Sequence, residues 1–350
     1  MTYATGRNYR DADSHLVESA DFLRAYADPA LRDRMPSLLK VGGGLDDLNF
    51  NEDAGRQGHR PEVVEQLVAL GDDLLKGPKW HAALGATSGT ERSKALDLLG
   101  FERQVVFSSI TCVPVFNLTD PEVRYAGCRA HNRAMAEFCS ADARLVGVGL
   151  LTLDDPARAI AEIEAGLELG IGAFWIPALA PGGRSPGHPD HDPIWARLAE
   201  AGTPFILHVG SAPLSIAEEW MNDGHPERRS ARGGAEVIGS KDLTVIYQAA
   251  ARFISVLVLD GVLERFPALR GGVIELGADW VPGMMRRLDH AASIWTRSEP
   301  HLADMKRTPS EQICDQLRFT PYPFEDVGRM IRDSAPELYL FSSDYPHIEG

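Results

Sequence analysis

The chain is 350 residues long with 44% hydrophobic and 24% charged residues, an ordinary globular composition that excludes disorder, collagen and coiled coil. Its 35 Lys and Arg against 50 Asp and Glu leave a net charge of −15 with no basic stripe, so nucleic acid and anionic membrane surfaces are not expected partners. No uninterrupted apolar run approaches the roughly 20 residues of a membrane span; the N-terminus lacks a signal-peptide pattern, and Cys112, Cys128, Cys139 and Cys314 form no CxxC pair, so a reducing cytoplasm is the expected location.

In chain order, eight short apolar or β-branched runs are predicted strands: Tyr9–Asp13, Gln104–Ser109, Leu145–Leu151, Gly172–Pro177, Pro204–Val209, Gly271–Leu276, Gln316–Thr320 and Leu338–Ser343. Between them, Pro121–Ala141, Asp155–Gly170, Pro193–Gly202, Leu243–Phe266, Asp279–Arg297 and Phe324–Asp333 have helical spacing, with "TDPE" and "LDDP" placing acids and Pro in a first turn. Cys128 and Cys139, eleven residues apart on one of these helices, share a face and are expected to be core packing. Eight βα alternations predict an α/β fold, a distorted (β/α)₈ TIM barrel forming one domain over 1–350. A doubly wound open sheet would normally open with a Gly-rich turn.

Val41–Arg60, the helical Pro61–Gly89 and Ser211–Lys241 exceed the minimal barrel and are expected to be insertions, at about 41–89 and 211–241, over one face. "GGGLDD" at Gly42–Asp47 lacks the helix start and Lys-Ser/Thr pair of a phosphate loop. No closing helix follows the eighth run, which is expected to be covered by a continuation of the chain, another element or a subunit.

The first strand ends "DADSHLVE", and Asp13 and His15, two apart, share one face of an extended chain. The fifth run, "TPFILHVGS", is apolar until His208 near its C-terminal end, and the eighth delivers Asp344 with His347 three residues on. Barrel enzymes keep their chemistry at that end. Two imidazoles and two carboxylates from Asp13, His15, His208 and Asp344 make a mixed N/O set suited to one divalent ion, Zn²⁺ first and Mn²⁺ as the alternative. Glu275, in "GGVIELGADW", faces the same mouth as a general acid/base, a fifth ligand or a structural acceptor. Trp280, which would wall the mouth, His347, which would orient Asp344, and Asn132 are candidate substrate-binding or supporting groups.

Taken in order, "DADSHLVE", "HPDHDPIWARLAEAGTPFILHVGS", "GVLERFPALRGGVIELGADWVPGMMRRLD" and "LFSSDYPHIEG" resemble the metal-dependent amidohydrolase superfamily, in the amidohydrolase 2 branch of aminocarboxymuconate-semialdehyde decarboxylase-like proteins. The resemblance implies a distorted barrel with one metal at its C-terminal mouth, held at positions matching Asp13, His15, His208 and Asp344, and a homodimer. Two positions depart from the pattern: Asp13 replaces the first His of an HxH motif, and Glu275 stands where many members carry an acid/base His.

The branch contains both carboxy-lyases and hydrolases acting on small molecules. Three carboxylates at one ion repel an anionic substrate, so hydrolysis is the expected reaction. Metal-bound water would attack the carbonyl of an ester, lactone, amide or activated C–C bond, with Asp344 accepting its proton and Glu275 assisting the leaving group. Non-oxidative decarboxylation of an aromatic or muconate-type acid is the alternative, and a metal-free, catalytically silent barrel a further one.

Overall fold

Parallel strands need a crossover between neighbours, and the chain supplies one after each strand of its main sheet. In the computed structural model, which describes residues 6–38, 58–214, 216–225, 231–233 and 236–347, the strands are β1 (Tyr9–Leu16), β2 (Phe101–Ser108), β3 (Leu145–Leu150), β4 (Ala173–Trp175), β5 (Phe205–His208), β6 (Ala231–Gly233), β7 (Glu236–Ile238), β8 (Gly271–Ile274) and β9 (Leu317–Phe319). Seven of them pair in the order β1-β2-β3-β4-β5-β8-β9, all parallel; β6 and β7 form a separate antiparallel ribbon.

The eighth predicted run closes the ring without becoming a regular strand. Leu340 N–H donates to Phe319 O (2.9 Å) on one side, while Ala12 N–H donates to Phe341 O (3.0 Å) and His15 N–H to Tyr345 O (2.8 Å) on the other. Three separate donors thus stitch this stretch between β9 and β1, and the result is a distorted (β/α)₈ barrel. The distortion has local causes: Asp344 has a positive φ of 51°, and the Asp11 carboxylate draws in the Ser343 N–H (2.8 Å).

Helix boundaries follow the capping chemistry read in the sequence. Asp120 accepts from Glu122 N–H and Val123 N–H ahead of Pro121–Cys139, and Asp155 does the same for Pro156–Glu168. Gly202, at φ 64°, ends Asp192–Ala201. The single helix expected over Leu243–Phe266 is instead three, Ser240–Leu243, Gln248–Leu259 and Val262–Arg265, with Gly261 at φ 75° making the second break. Over Ser240–Leu259 the mean hydropathy reaches 1.5, and length and composition alone would suit a membrane span. Here Ala250, Phe253, Ile254, Leu257 and Val258 are buried in the core. Among helices of eight or more described residues, Gly89–Leu99 and Pro309–Gln316 are additional to the sequence reading.

The insertion at 61–89 resolves into Pro61–Val68 and short 3₁₀ turns at Gly71–Lys76 and Trp80–Ala82. Val41–Arg60, with its "GGGLDD" segment, lies outside the described residues except for 58–60.

Candidate metal centre

Register delivers the ligands. His15 pairs with Phe107, and His208, the last residue of β5, pairs with Ile274, so Glu275 emerges beside His208. Asp13, His15 and His208 are 1–2% exposed. His15 Nε2 lies 3.3 Å from Asp13 Oδ1 and 3.2 Å from Asp344 Oδ1; His208 Nε2 lies 3.3 Å from Asp13 Oδ1 and 3.4 Å from Glu275 Oε2. The structure brings together all five of these predicted residues, and His347 Nδ1 joins them 2.9 Å from Asp344 Oδ1.

Tautomers follow from the other ring nitrogens. His15 Nδ1 faces Ser108 O (3.2 Å) and His208 Nδ1 faces Val209 O (3.1 Å). A carbonyl accepts only, so both Nδ1 atoms carry hydrogen and donate, and in the neutral form of each ring the Nε2 lone pair turns inward. His15 Nε2 and both carboxylate oxygens of Asp344 are buried with no aligned hydrogen-bond partner among the described residues. Buried acceptors left in this state call for a cation. The spacing agrees: ligand atoms about 2.0–2.1 Å from a tetrahedral ion stand ~3.3 Å apart. Asp13, His15, His208 and Glu275, and overlapping them His15, Asp344 and His347, have donor atoms close enough to share one ion.

Charges in the cluster support one another. Burial alone would raise the Asp13 and Asp344 carboxyls, yet the neighbouring imidazoles hold both below the usual range. Burial alone would lower His15, but Asp13 and Asp344 push it up to about 10. A metal ligand must be the neutral imidazole, so cation uptake at neutral pH displaces the His15 proton. Affinity for Mn²⁺ or Zn²⁺ should therefore rise with pH, by up to about tenfold per unit for each proton displaced, levelling off only near His15's own value. Calorimetric titrations in two buffers of different ionisation enthalpy, between about pH 6 and 8, read both slope and proton release; a pH-independent affinity would contradict the assignment of His15 as a ligand.

The apolar wall comes from Phe107 and Trp175, whose rings lie 4.4 and 4.6 Å from that of His208. Backbone strain concentrates here: among the described residues, the positive-φ non-glycine residues are Trp80, Glu275 and Asp344. Thr320 Oγ1 accepts from Glu275 N–H (2.8 Å), Tyr322 O–H donates to Glu275 O (2.9 Å), and Asp344 N–H donates to Asp13 O (2.9 Å), holding two of these unusual conformations in place.

Two candidates are placed elsewhere. Trp280 stacks on Tyr247 (5.3 Å) and donates its indole N–H to Gly277 O (3.0 Å), just beyond the end of β8. Asn132 clasps β3 from the helix side, accepting from Leu150 N–H (2.7 Å) and donating to Leu150 O (3.1 Å). Gly149 leaves the space its amide fills, since a Cβ there would stand 2.9 Å from Asn132 Oδ1.

Three supporting residues escape sequence reasoning. Asp11 continues the Asp13 and His15 alternation by one step, and that period was its signal; its carboxylate binds Ser343 Oγ–H (2.6 Å) and Gln104 Nε2–H (2.8 Å), and burial pushes its carboxyl up to about 7 against those bonds. Arg92 is fully buried, donating to Gly85 O (2.9 Å), Gln104 Oε1 (3.1 Å), Ser14 Oγ (3.3 Å) and His15 O, with no carboxylate in ion-pair range among the described residues. Ser109 bridges Leu16 and His347. Neither Arg92 nor Ser109 has a local pattern that marks it.

A parallel barrel with this carboxylate–imidazole cluster at the C-terminal ends of its strands is a barrel enzyme in architecture. A model of the amidohydrolase family matches residues 110–350, more than half of the chain, and the chain belongs to that family as an enzyme of the amidohydrolase superfamily. The matched part holds His208, Glu275 and Asp344; Asp13 and His15 precede it.

Among solved structures, an amidohydrolase of Mycobacterium avium subsp. paratuberculosis superposes with a TM-score of 0.73 at 23% identity, over 98% of this chain and 90% of that one. A dihydroxybenzoic acid decarboxylase of a Polaromonas species, with bound manganese and the inhibitor 2-nitroresorcinol, gives 0.60 at 17% identity over 97% and 86%. A 5-carboxyvanillate decarboxylase of Novosphingobium aromaticivorans, also with manganese, gives 0.59 at 18% over 97% and 87%. These likenesses establish the fold. No curated protein matches the chain.

Proposed function

We propose that the chain is a metal-dependent, non-oxidative carboxy-lyase that releases CO₂ from a small aromatic acid. The observation that carries this reading is the approach of His347 Nδ1 to Asp344 Oδ1. Ser109 has one hydroxyl hydrogen and donates it to Leu16 O (2.8 Å), so it accepts from His347 Nε2–H (2.9 Å). His347 Nδ1 is then left facing Asp344 Oδ1 at 2.9 Å. A proton taken up between these two atoms would make the pair an acid able to give it away.

Decarboxylation of an aromatic acid uses such an acid. A proton passes from the Asp344–His347 pair to the ring carbon bearing the carboxylate; the bond to that carboxylate breaks, its electrons return to the ring, and CO₂ departs. Asp13, His15, His208 and Asp344 would hold one divalent ion, Zn²⁺ or Mn²⁺, which when bound supplies Lewis-acid stabilisation of negative charge on substrate oxygens. Arg92, carrying a buried positive charge behind β1, offsets part of the repulsion that crowded carboxylates exert on an anionic substrate. The manganese-bound decarboxylases of similar fold add weight.

Glu275 favours a second reading. A further carboxylate 3.4 Å from His208 Nε2 offers a base, as hydrolysis of a neutral ester or lactone requires. Parallel assays of CO₂ release from hydroxybenzoates and of ester and lactone cleavage, on protein loaded with Mn²⁺ or Zn²⁺, separate the two. CO₂ release is expected; hydrolytic turnover without it would overturn the carboxy-lyase reading.

A further inference from the structure

Gln104 of β2 is fully buried, and its side-chain amide meets two charged groups: the oxygen accepts from Arg92 Nη1–H (3.1 Å) and the nitrogen donates to Asp11 Oδ2 (2.8 Å). A guanidinium only donates, so the amide oxygen must face Arg92, which turns the NH₂ toward Asp11. Asp11 also receives Ser343 N–H (2.8 Å), Ser343 Oγ–H (2.6 Å) and Asp13 N–H (3.3 Å), so donors surround it and a carboxylate is their complement. Isolated buried charges are costly. Here one amide joins them, its oxygen toward the cation and its NH₂ toward the anion.

Both ends of this chain reach the metal ligands. The pairing of β1 with β2 slips between Asp11, opposite Gln104, and Ser14, opposite Val106, so β1 carries one extra residue there. A bulge of this kind re-aims side chains and gives up ladder pairing, and Asp13 lies within it. Gln104 grips the near side of the bulge through Asp11. Arg92 grips the far side, donating to Ser14 Oγ (3.3 Å) and to His15 O. Beyond Asp11 the chain continues into Ser343, the neighbour of Asp344, and Asp344 N–H in turn donates to Asp13 O (2.9 Å). The Arg92 guanidinium also lies 5.2 Å from the ring of Tyr345, the residue on the other side of Asp344.

We propose that Gln104 is a positioning residue for the metal centre: it couples the buried charge of Arg92 to the Asp11 carboxylate across β1 and β2, and the resulting chain fixes the bulge that presents Asp13 and His15 opposite Asp344. This rests on the metal centre and holds for either reaction at it. An apolar side chain of the same length would fill the space, yet it would leave Arg92 and Asp11 each short of a partner and free both sides of the bulge to shift.

The test compares wild type, Gln104→Met and Gln316→Met. Gln316 is the control: it is equally buried and bonds Arg307 (3.1 Å), Phe266 O (2.9 Å) and Leu269 O (3.2 Å), but at the N-terminal end of β9, away from the strand ends that carry the centre. Mn²⁺ affinity is read by calorimetry, the zero-field splitting of bound Mn²⁺ by electron paramagnetic resonance, and the thermal midpoint by melting. Both variants should melt earlier. Only Gln104→Met should bind Mn²⁺ about 10- to 100-fold more weakly and change the splitting. If Gln104→Met does not fold, Ser343→Ala, which withdraws one hydroxyl from Asp11, should show the same two changes in smaller degree. Wild-type affinity and splitting in whichever of these two variants folds would overturn the proposal, and equal affinity losses in Gln104→Met and Gln316→Met would reduce Gln104 to packing. Failure of the wild type to take up Mn²⁺ or Zn²⁺ would instead remove the metal centre itself, and the positioning role with it.

Discussion

His208→Ala should lower bound metal from near one equivalent per chain to a trace and cut CO₂ release by at least about 10³-fold, since Lewis-acid stabilisation is worth several kcal/mol and each 1.36 kcal/mol is a factor of ten. The imidazole stands between Asp13 and Glu275 at 3.3 and 3.4 Å; without it, carboxylates face a gap and the nitrogen donors fall to His15 and His347. The fold should survive, because Phe205 and Leu207 of the same strand remain buried in the main core and only one side chain is lost. His131→Ala is the control: that imidazole is equally buried, on the helix Pro121–Cys139 and bonded to Asn132 (3.0 Å), so its removal should lower stability and leave metal content intact. Elemental analysis with thermal melts on both variants decides the matter. Full metal and full turnover in His208→Ala would remove His208 from the centre.

The features legible in the sequence were those with a local period. Alternation placed Asp13 and His15 on one face, and apolar runs ending in His208 and Glu275 marked strand ends, because a strand buried on both faces tolerates a charge only where it leaves the sheet. The same rule identified the strands but not the irregular stitching of 339–345, whose geometry depends on Asp11, more than 300 positions away. Trp280 and Asn132 bond to backbone beside β8 and β3, contacts that nearness in sequence to a mouth residue does not show. Asp11 had its signal, one step back along the alternation.

Arg92 and Ser109 had none, since each acts through contacts remote in sequence. The preference between hydrolysis and decarboxylation was hidden for the same reason. The proposed preference rests on the surroundings of His347, whose contact with Ser109 spans 238 positions. Counting carboxylates suggested repulsion of an anionic substrate; the carboxy-lyase reading rests instead on the Asp344–His347 contact.

Asp344→Asn tests that pair most directly. It is expected to slow CO₂ release by about 10²–10⁴-fold, the usual worth of a positioned proton donor, while KM changes little and the metal is largely kept, because Asn retains one oxygen and Asp13, His15 and His208 are untouched. The amide can still face His347: its N–H₂ donates to the Nδ1 lone pair that formerly met the shared proton. The ring geometry is thus preserved while the proton is gone, so the loss should fall on kcat, as for an interaction used only in the transition state. A structural defect would instead lower metal content and thermal midpoint together. His347→Asn should reproduce the kcat loss in milder form, since Asp344 could then draw its proton from solvent. If Asp344→Asn kept wild-type CO₂ release, the proton would have to come from elsewhere, and Glu275, whose backbone is held at a positive φ on the opposite side of His208, would be the group to test next.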